Sequence, residues 1–432
     1  MAQTTAAATR TAETVAARLG RRYAAERRFR ALGLASILMS VAFLAILLGT
    51  IVQKGWTGFM QTQIALEVSF DPQVIDPDGG RDPLTLDTAD YADLVRNAMA
   101  ARLAPDADRN ARRDLSSMVS TMAADQLRRM VTGNPALIGT KATVWLLASD
   151  KLDMVSKGQA PRQPGAVGNV LNDRQLAWLG ALEEAGQTRK TFNTTFFTAG
   201  DSRAPEQAGI WGAVVGSFFS LAITLLVSFP LGVATAVYLE EFAPTNRWTD
   251  LIEVNINNLA AVPSVVFGLL GLAVFLNVFH LPRSSPVAGG LVLALICLPT
   301  IIIAGRAALK AVPPSIRQAA AGLGASPLQI VSHHVLPLAM PGMLTGTILG
   351  MARALGETAP LLMIGMVAFI VDIPKSPLDP SAVLPVQIYL WAGSSERAFV
   401  EKTSAAIMVL LLFLVSMNMV AIILRKKFER RW

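Results

Sequence analysis

An arginine and a glutamate lie four residues apart within a long apolar stretch of this chain. Arg353 and Glu357 are the charged residues of the run 342–371. Ionisable side chains within a membrane-spanning helix cost about 2.5–3.5 kcal/mol each on insertion scales, so they face a bundle interior or a polar path. A guanidinium offers two parallel donors that match the oxygens of an oxyanion such as phosphate. The pair therefore predicts either an anion path or a salt bridge that fixes helix packing.

The residues around this pair predict a bent or broken helix. Gly356 and Pro360 interrupt the run, and a break would turn backbone N–H groups towards an anion. If the pair lines an anion path, Arg353 meets the anion and Glu357 orients the guanidinium and limits how tightly the anion is held. Thr358 would add a hydroxyl, although a threonine in a membrane helix often bonds its own backbone instead.

A second polar segment, 317–337, separates two apolar runs. Gly324 is suited to the left-handed conformation that ends a helix. Ser326 and Pro327 supply a helix cap followed by proline at the first helical position. Pro337 is expected to stop the second element. The pattern predicts two short helices at an angle, which form either a knob for a partner's groove or an interfacial hairpin on the lipid headgroups.

Three short motifs run through this segment: Gln318-Ala319-Ala320, then Gly324 four residues later, then Leu336-Pro337. Together they resemble the cytoplasmic "EAA" loop of ABC-importer permeases, with Gln318 in place of that family's acidic residue and His334 in place of its branched apolar residue. The resemblance implies that the loop 311–337 docks into a separate ATPase subunit. The residues it implies for this contact are Arg317, Gln318, Ala319, Ala320, Gly324, Leu336 and Pro337.

Further motifs lie between residues 209 and 424. They are Phe229-Pro230-Leu231-Gly232, Tyr238-Leu239-Glu240-Glu241, the stretch 258–264 and the stretch 353–360. As a set they are similar to the phosphate-transport permeases of the PstA type, within the ABC-importer type-1 permease family. The resemblance implies a five-helix permease core over 209–424 that carries inorganic phosphate. It also implies three partners: a second homologous permease subunit, an ABC ATPase dimer and a periplasmic phosphate-binding protein.

The composition is that of a membrane protein, with 52% hydrophobic and only 16% charged residues. A helix needs about 20 mostly apolar residues to cross the bilayer core. Runs of sufficient length are 31–52, 210–239, 259–279, 287–308, 342–371 and 405–424. The predicted fold class is therefore an all-α polytopic membrane protein of about six transmembrane helices, with 31–52 as the first.

Basic residues flank both ends of the chain. The N-terminal segment 1–30 and the tail 425–432 are rich in arginine and lysine, which predicts that both are cytoplasmic. An even number of spans agrees, and the chain is expected in the bacterial inner membrane. Because the net charge of +7 comes largely from these flanks, it indicates topology and no nucleic-acid partner. Arg306, near the cytoplasmic end of 287–308, is expected to extend to the headgroups, with a transport role as the alternative.

Residues 53–208, between the first two runs, are expected to form an inserted α+β domain on the periplasmic side. Apolar residues alternate over 64–70 as in a half-buried strand, and recur at helical spacing over 91–99 and 115–122. Further strands are predicted over 143–147 and 191–197. The stretch 76–80 reads as a turn, and a calcium loop is disfavoured because the remaining ligand spacing is absent.

Several kinds of chemistry are not predicted. The chain has no G-x-x-x-x-G-K-[ST] motif, so ATP hydrolysis is assigned to a partner, and we identify no catalytic residues. With one cysteine, Cys297, and three histidines, neither a metal site nor a cofactor is expected. Three alternatives stay open: the same machine with another oxyanion or organic cargo, a membrane-anchored periplasmic sensor that uses 53–208, and an intramembrane enzyme. A short tail disfavours the sensor, and the lack of a nucleophile–base pair disfavours the enzyme.

Overall fold

A computed structural model describes residues 2–106 and 108–428, so the last part of the predicted basic tail 425–432 lies outside the described residues. The chain divides into two compact units, with the boundary between Lys54 and Gly55. The first unit consists of one long helix, α1 (Ala2–Gly55). The stretch Arg22–Phe59 is long and apolar enough to cross a membrane, as predicted for 31–52.

A three-stranded antiparallel sheet forms the centre of the inserted domain, which follows α1 in the sequence. The strands are β1 (Met60–Ser69), β2 (Lys141–Leu147) and β3 (Thr188–Phe192), in the order β2-β1-β3. Ile64, Leu66 and Val68 are fully buried, which confirms the predicted alternation along β1. They form one core with the helices that cover this face of the sheet.

The helices of the inserted domain are short and are begun by polar caps. Asp71, Asp82, Asp90 and Asp108 each accept a backbone N–H of the following helix, which satisfies a donor that the first turn leaves free. The helices are α2 (Pro72–Ile75), α3 (Pro83–Thr88), α4 (Tyr91–Leu103), α5 (Arg109–Ser116), α6 (Met122–Gly133), α7 (Asp150–Ser156), α8 (Asp173–Glu184) and α9 (Thr194–Thr198).

The strand predicted over 191–197 is mostly wrong. β3 ends at Phe192, and α9 begins two residues later. The side chain of Asn193 accepts the backbone N–H of Phe196 at 3.0 Å, so it caps a helix where β-branched and aromatic residues suggested a strand.

The helix predicted over 115–122 is also broken. α5 ends at Ser116, and Val119 forms an isolated β-bridge with Ala148. The backbone N–H of Ser120 donates to the carbonyl of Leu147 at 2.9 Å. The apolar residues of this stretch are thus buried by pairing with the end of β2, a distant partner that local spacing does not reveal.

The second half of the chain is a bundle of long helices. Within the described residues, five helices are long and apolar enough to cross a membrane, namely α1 and four helices of this half, and the number is six if the pair α11/α12, bent by 102°, counts as one span. The all-α polytopic fold class is thereby confirmed. The helices are α10 (Trp211–Val237), α11 (Arg247–Ala260), α12 (Ser264–Gly271), α13 (Pro286–Lys310), α14 (Pro314–Gly322), α15 (Pro327–Gln329), α16 (Leu336–Gly356), α17 (Ala359–Met363), α18 (Leu384–Ala392) and α19 (Ala398–Phe428).

Two of the predicted spans are not straight helices. The span 259–279 falls across the bend between α11 and α12, where Pro263 lacks an N–H and disfavours helical geometry in the residue before it. The span 342–371 ends early, because α16 stops at Gly356 and Glu357 has an extended backbone. Both runs are continuous in hydrophobicity but not in helical structure.

Small residues bring the central helices into close contact. Gly346 of α16 lies against Ala304 of α13, so closely that a Cβ atom at position 346 would overlap the methyl group of Ala304. One turn away, a Cβ at Gly342 would lie 2.7 Å from the Cβ of Ala308. Such contacts between small residues are typical of membrane helices, which gain packing energy by close approach. They fix the register of α16 on α13 and hence the position of the end of α16.

Candidate functional site

Arg353 and Glu357 lie where α16 ends. Arg353 is in the last turn of the helix, and Glu357 is the first residue beyond it. The Nε atom of Arg353 is 3.4 Å from Oε1 of Glu357, so the predicted pair does form. It engages only one guanidinium nitrogen, and both Nη groups make no hydrogen bond within the described residues. The Arg353 side chain is 51% exposed in this chain, whereas Glu357 is 18% exposed.

The pair lies close to the middle of the neighbouring helix α13. Cys297, near the centre of that helix, donates from Sγ to the carbonyl of Gly350 at 3.3 Å. Arg353 follows Gly350 by about one turn. The predicted break around the pair is confirmed, because helical hydrogen bonding ends at the pair itself. A charged group therefore stands at a break in the helix, about halfway along the bundle.

The chain beyond the break turns back into the bundle. The backbone N–H groups of Leu361 and Leu362 both donate to the carbonyl of Thr358 at 3.1 Å. The expectation that the break frees backbone N–H groups for an anion is wrong for these two. The Thr358 hydroxyl makes no hydrogen bond within the described residues, and the side chain is half-buried. Of the predicted polar groups, the structure thus brings Arg353, Glu357 and Thr358 together at one break.

The polar segment after α13 has the predicted helix–turn–helix start. Gly324 has φ +83°, the left-handed conformation expected at the end of α14. The Ser326 hydroxyl accepts the N–H of Gln329 at 3.4 Å, and the Gln329 side chain accepts the N–H of Ser326 at 2.9 Å. This reciprocal capping box begins the next helix, with Pro327 at its first position.

Pro337 does not stop the second helix, contrary to prediction. The helical segment runs without interruption from Pro327 to Gly356. A widened, π-type turn over Ile330–Val335 precedes Leu336. Because such a turn shifts the hydrogen-bonding register, the helix tolerates a residue that cannot donate. The segment is therefore one short helix followed by the N-terminal extension of a long one.

The residues predicted for a docking surface differ in their exposure. Gln318, Ala319 and Gly324 are exposed, Ala320 is buried, and Leu336 and Pro337 are half-buried. Two apolar side chains at the turn were not predicted: Leu323 is 89% exposed and Leu328 is 67% exposed. Apolar residues at a helix–turn–helix tip could have been noticed in the sequence, because leucine has no local role in a capping turn.

Arg317 is directed into the protein and not towards a docking partner. Its Nη2 atom is 2.6 Å from Oε1 of Glu241, and its Nε atom donates to Oε2 of the same carboxylate at 3.2 Å. The guanidinium also donates to the carbonyls of Val312, at 2.7 Å, and Leu309, at 3.0 Å. The hydrogen bond with Glu241 raises the pKa of Arg317 above its usual value. Local spacing does not reveal this ion pair, because Glu241 is a distant partner.

Arg306, which was expected to extend to the headgroups, is likewise paired within the chain, and its side chain is 15% exposed. It lies 2.8 Å from Glu253 and 3.4 Å from Glu240. Glu240 and Glu241 are adjacent in a widened turn that follows α10, in which the N–H of Ala243 donates to the carbonyl of Tyr238. This Glu240–Glu241 turn therefore joins the ends of α10 and α13 to α11 and α14. The sequence signal for these ion pairs was the pair of adjacent glutamates, Glu240 and Glu241, at the end of an apolar run.

The described residues offer no evident metal site. No group of three or more His, Cys, Asp or Glu side chains is placed to hold an ion in the ranges 2–106 and 108–428. His333 and His334 are exposed, and Cys297 is buried.

Two family models match this chain. The first is described as "Binding-protein-dependent transport system inner membrane component" and matches residues 228–432. The second is described only as a domain of unknown function, DUF3333, and matches residues 16–164, which include most of α1 and a large part of the inserted domain.

Named relatives match the helical half. The probable ABC transporter permease protein YqgI of Bacillus subtilis is 35% identical to this chain over the matched region. The match covers 39% of this chain and 56% of YqgI. The phosphate transport system permease proteins PstA 1 of Mycobacterium tuberculosis and PstA of Haemophilus influenzae are each 31% identical. The matches cover 52% and 51% of this chain and 73% and 77% of the relatives.

Among solved structures, a structure of the MetNI methionine ABC transporter aligns with this chain. The alignment covers 51% of this chain and 95% of the MetNI chain. The TM-score is 0.40 and the identity 18%, so the family assignment comes from the sequence relatives.

Proposed function

The chain belongs to the binding-protein-dependent transport system inner membrane components, the permeases of ABC importers, and from this premise we propose that it carries inorganic phosphate across the inner membrane. It is a component of a transporter and not itself an enzyme. A partner ATPase supplies the energy, and a periplasmic phosphate-binding protein delivers the anion. A second, homologous permease subunit completes the path.

The proposal depends most on the half-exposed guanidinium of Arg353. A charged side chain needed only for packing would be expected to have its donors satisfied inside the bundle. Here both Nη groups are without a hydrogen bond in the described residues, and they stand at a helix break whose chain also carries Thr358. Such a group suits an oxyanion, whereas Glu357 keeps the anion from being held too tightly. The names of the PstA relatives favour phosphate among the oxyanions.

The turn between α14 and α15 is proposed as the ATPase-docking tip. Leu323 and Leu328 present apolar side chains there, and the helices behind it are held by half-buried ion pairs. Closure of the ATPase dimer would pull on this tip, and the Arg317–Glu241 pair would pass the movement to α10. Arg317 thus transmits force within the chain, while Gln318 and Ala319 remain docking residues in this proposal.

We propose that both termini and Gly324 are cytoplasmic and that Gly158, in the inserted domain, is periplasmic. The basic flanks of the spans support this orientation. Single cysteines at positions 158 and 324 report it when intact cells are treated with a membrane-impermeant thiol reagent. We expect labelling at 158 alone, and labelling at 324 alone would reverse the topology.

Replacing Gly324 by valine should uncouple the ATPase from transport. A β-branched residue at φ +83° is strained by about 1–3 kcal/mol, so the docking tip would change shape. Gly322→Val is the matched control, because Gly322 is helical, lies two residues away and has open space around it. We expect the control to import phosphate and the Gly324 variant to lose ATPase co-purification or uptake. If the Gly324 variant assembles and transports like the control, this tip is not the docking surface.

Neutralising both charges at the break separates an anion path from a structural pair. The double variant Arg353→Gln/Glu357→Gln leaves no buried charge unpaired, so we expect it to assemble. Loss of a charged hydrogen bond to the anion should lower labelled-phosphate uptake per assembled complex by about 10- to 100-fold. The exposed pair Arg128–Asp125, changed to Gln and Asn, is the control and should not alter uptake. Near-normal uptake by an assembled double variant would leave Arg353 and Glu357 a purely structural role.

A further inference from the structure

A buried group of charges joins the inserted domain to the first turn of α19. Lys157, directly after α7, lies 2.6 Å from Oδ2 of Asp153 and 2.8 Å from Oε1 of Glu401. The other carboxylate oxygen of Asp153 accepts the N–H of Thr62 in β1 at 2.8 Å. Lys157 and Glu401 are 2% and 5% exposed. A continuous polar chain therefore runs from the central strand of the inserted domain to α19.

This contact differs in kind from the ion pairs on the surface of the same domain. Arg162 and Glu183 form a well-aligned pair there, but their side chains are 49% and 29% exposed, and such pairs contribute little. Removing one partner of a fully buried pair leaves a charge without compensation, which is strongly unfavourable. Lys157 and Glu401 must therefore stay together for the domain to remain seated on α19.

Apolar contacts enclose the same end of α19. Ala398, its first residue, is part of the hydrophobic core of the inserted domain. A Cβ atom at Gly58 would lie 2.9 Å from the Cβ of Ala405 and 3.3 Å from the Cγ of Glu401. The ammonium group of Lys402 lies 5.3 Å from the ring centre of Phe196. The first two turns of α19 are thus held by the inserted domain on several sides.

α19 also packs against α16, the helix that carries Arg353. Leu410, Phe413 and Leu414 of α19 pack against the hydrophobic cluster that contains Ala354. Further along, Arg425 donates to the hydroxyl of Thr345 in α16 at 3.3 Å. A displacement of the first turn of α19 would therefore reach the turn of α16 that ends at the break.

We propose that Lys157 and Glu401 are positioning residues for transport, through which the inserted domain holds α19 and thereby the end of α16. This inference rests on the proposed function for its transport consequence, but the attachment itself does not. The inserted domain then takes part in transport, and the surface to which it attaches is the first turn of α19. A separate, tethered ligand-binding module would need no buried ionic attachment at this place.

Thiol labelling tests the attachment without any cargo. In a Cys297→Ala background, Ala398→Cys places a reporter where α19 enters the core of the inserted domain. We expect slow maleimide labelling of this reporter in the assembled complex. The double variant Lys157→Met/Glu401→Gln removes the link to α19, while Asp153 keeps the N–H of Thr62 as its partner. It should speed labelling about tenfold, the shift expected for one lost charged hydrogen bond. The control Arg162→Met/Glu183→Gln should leave the rate unchanged.

Two readouts on the same complexes separate positioning from mere stability. Labelled-phosphate uptake and ATP hydrolysis are measured per assembled complex. Positioning predicts more ATP hydrolysed per phosphate imported in the Lys157/Glu401 variant, whereas simple instability lowers both activities in proportion. Unchanged labelling overturns the attachment, and faster labelling with an unchanged ratio overturns the positioning role. If even the unsubstituted complex imports no phosphate, the cargo assignment fails, and the positioning role is judged from ATP hydrolysis stimulated by the binding protein.

Discussion

The architecture depends on one constraint: a long helix ends inside the bundle and leaves a charge at its end. α16 is held against α13 by glycine and alanine contacts so close that a methyl group at Gly346 does not fit. This register places Arg353 beside the centre of α13. Its two Nη groups have no hydrogen bond in the part of the chain that the structure describes, which is costly there unless something polar meets them. The break at Glu357, the return of the chain through α17 and the packing of α19 all surround that point.

Two ionic attachments connect this point to the ends of the molecule. At one end, the Glu240–Glu241 turn binds Arg306 and Arg317 and so joins α10, α11, α13 and α14. At the other, Lys157 and Glu401 join the inserted domain to α19. Bidentate and buried pairs of this kind are directional, so they transmit displacements that apolar contacts between helices would absorb by sliding. We infer that force from a docked ATPase and from the inserted domain converges on α16.

The sequence predicted features that depend on neighbouring residues and missed those that depend on distant ones. The left-handed Gly324, the Ser326 cap and the buried alternation of β1 are local, and all three are confirmed. The inward direction of Arg317 required Glu241, which lies 76 positions earlier. The bend within 259–279 was missed because hydrophobicity reports depth in a membrane, not backbone continuity, whereas Gly356 and Pro360 did predict the break within 342–371. Pro337 failed as a stop signal because a π-type turn precedes it.

The central claim is that an anion reaches Arg353, and a thiol next to an intact Arg353 tests it most directly. Gly356 is exposed with open space around it, so Gly356→Cys in a Cys297→Ala background adds a reporter at low steric cost. The account predicts that a small anionic thiosulfonate modifies this cysteine faster than a cationic one of similar size. It also predicts that phosphate slows the reaction and that Arg353→Gln removes the preference. Modification that is indifferent to reagent charge, to phosphate and to Arg353 would contradict the account.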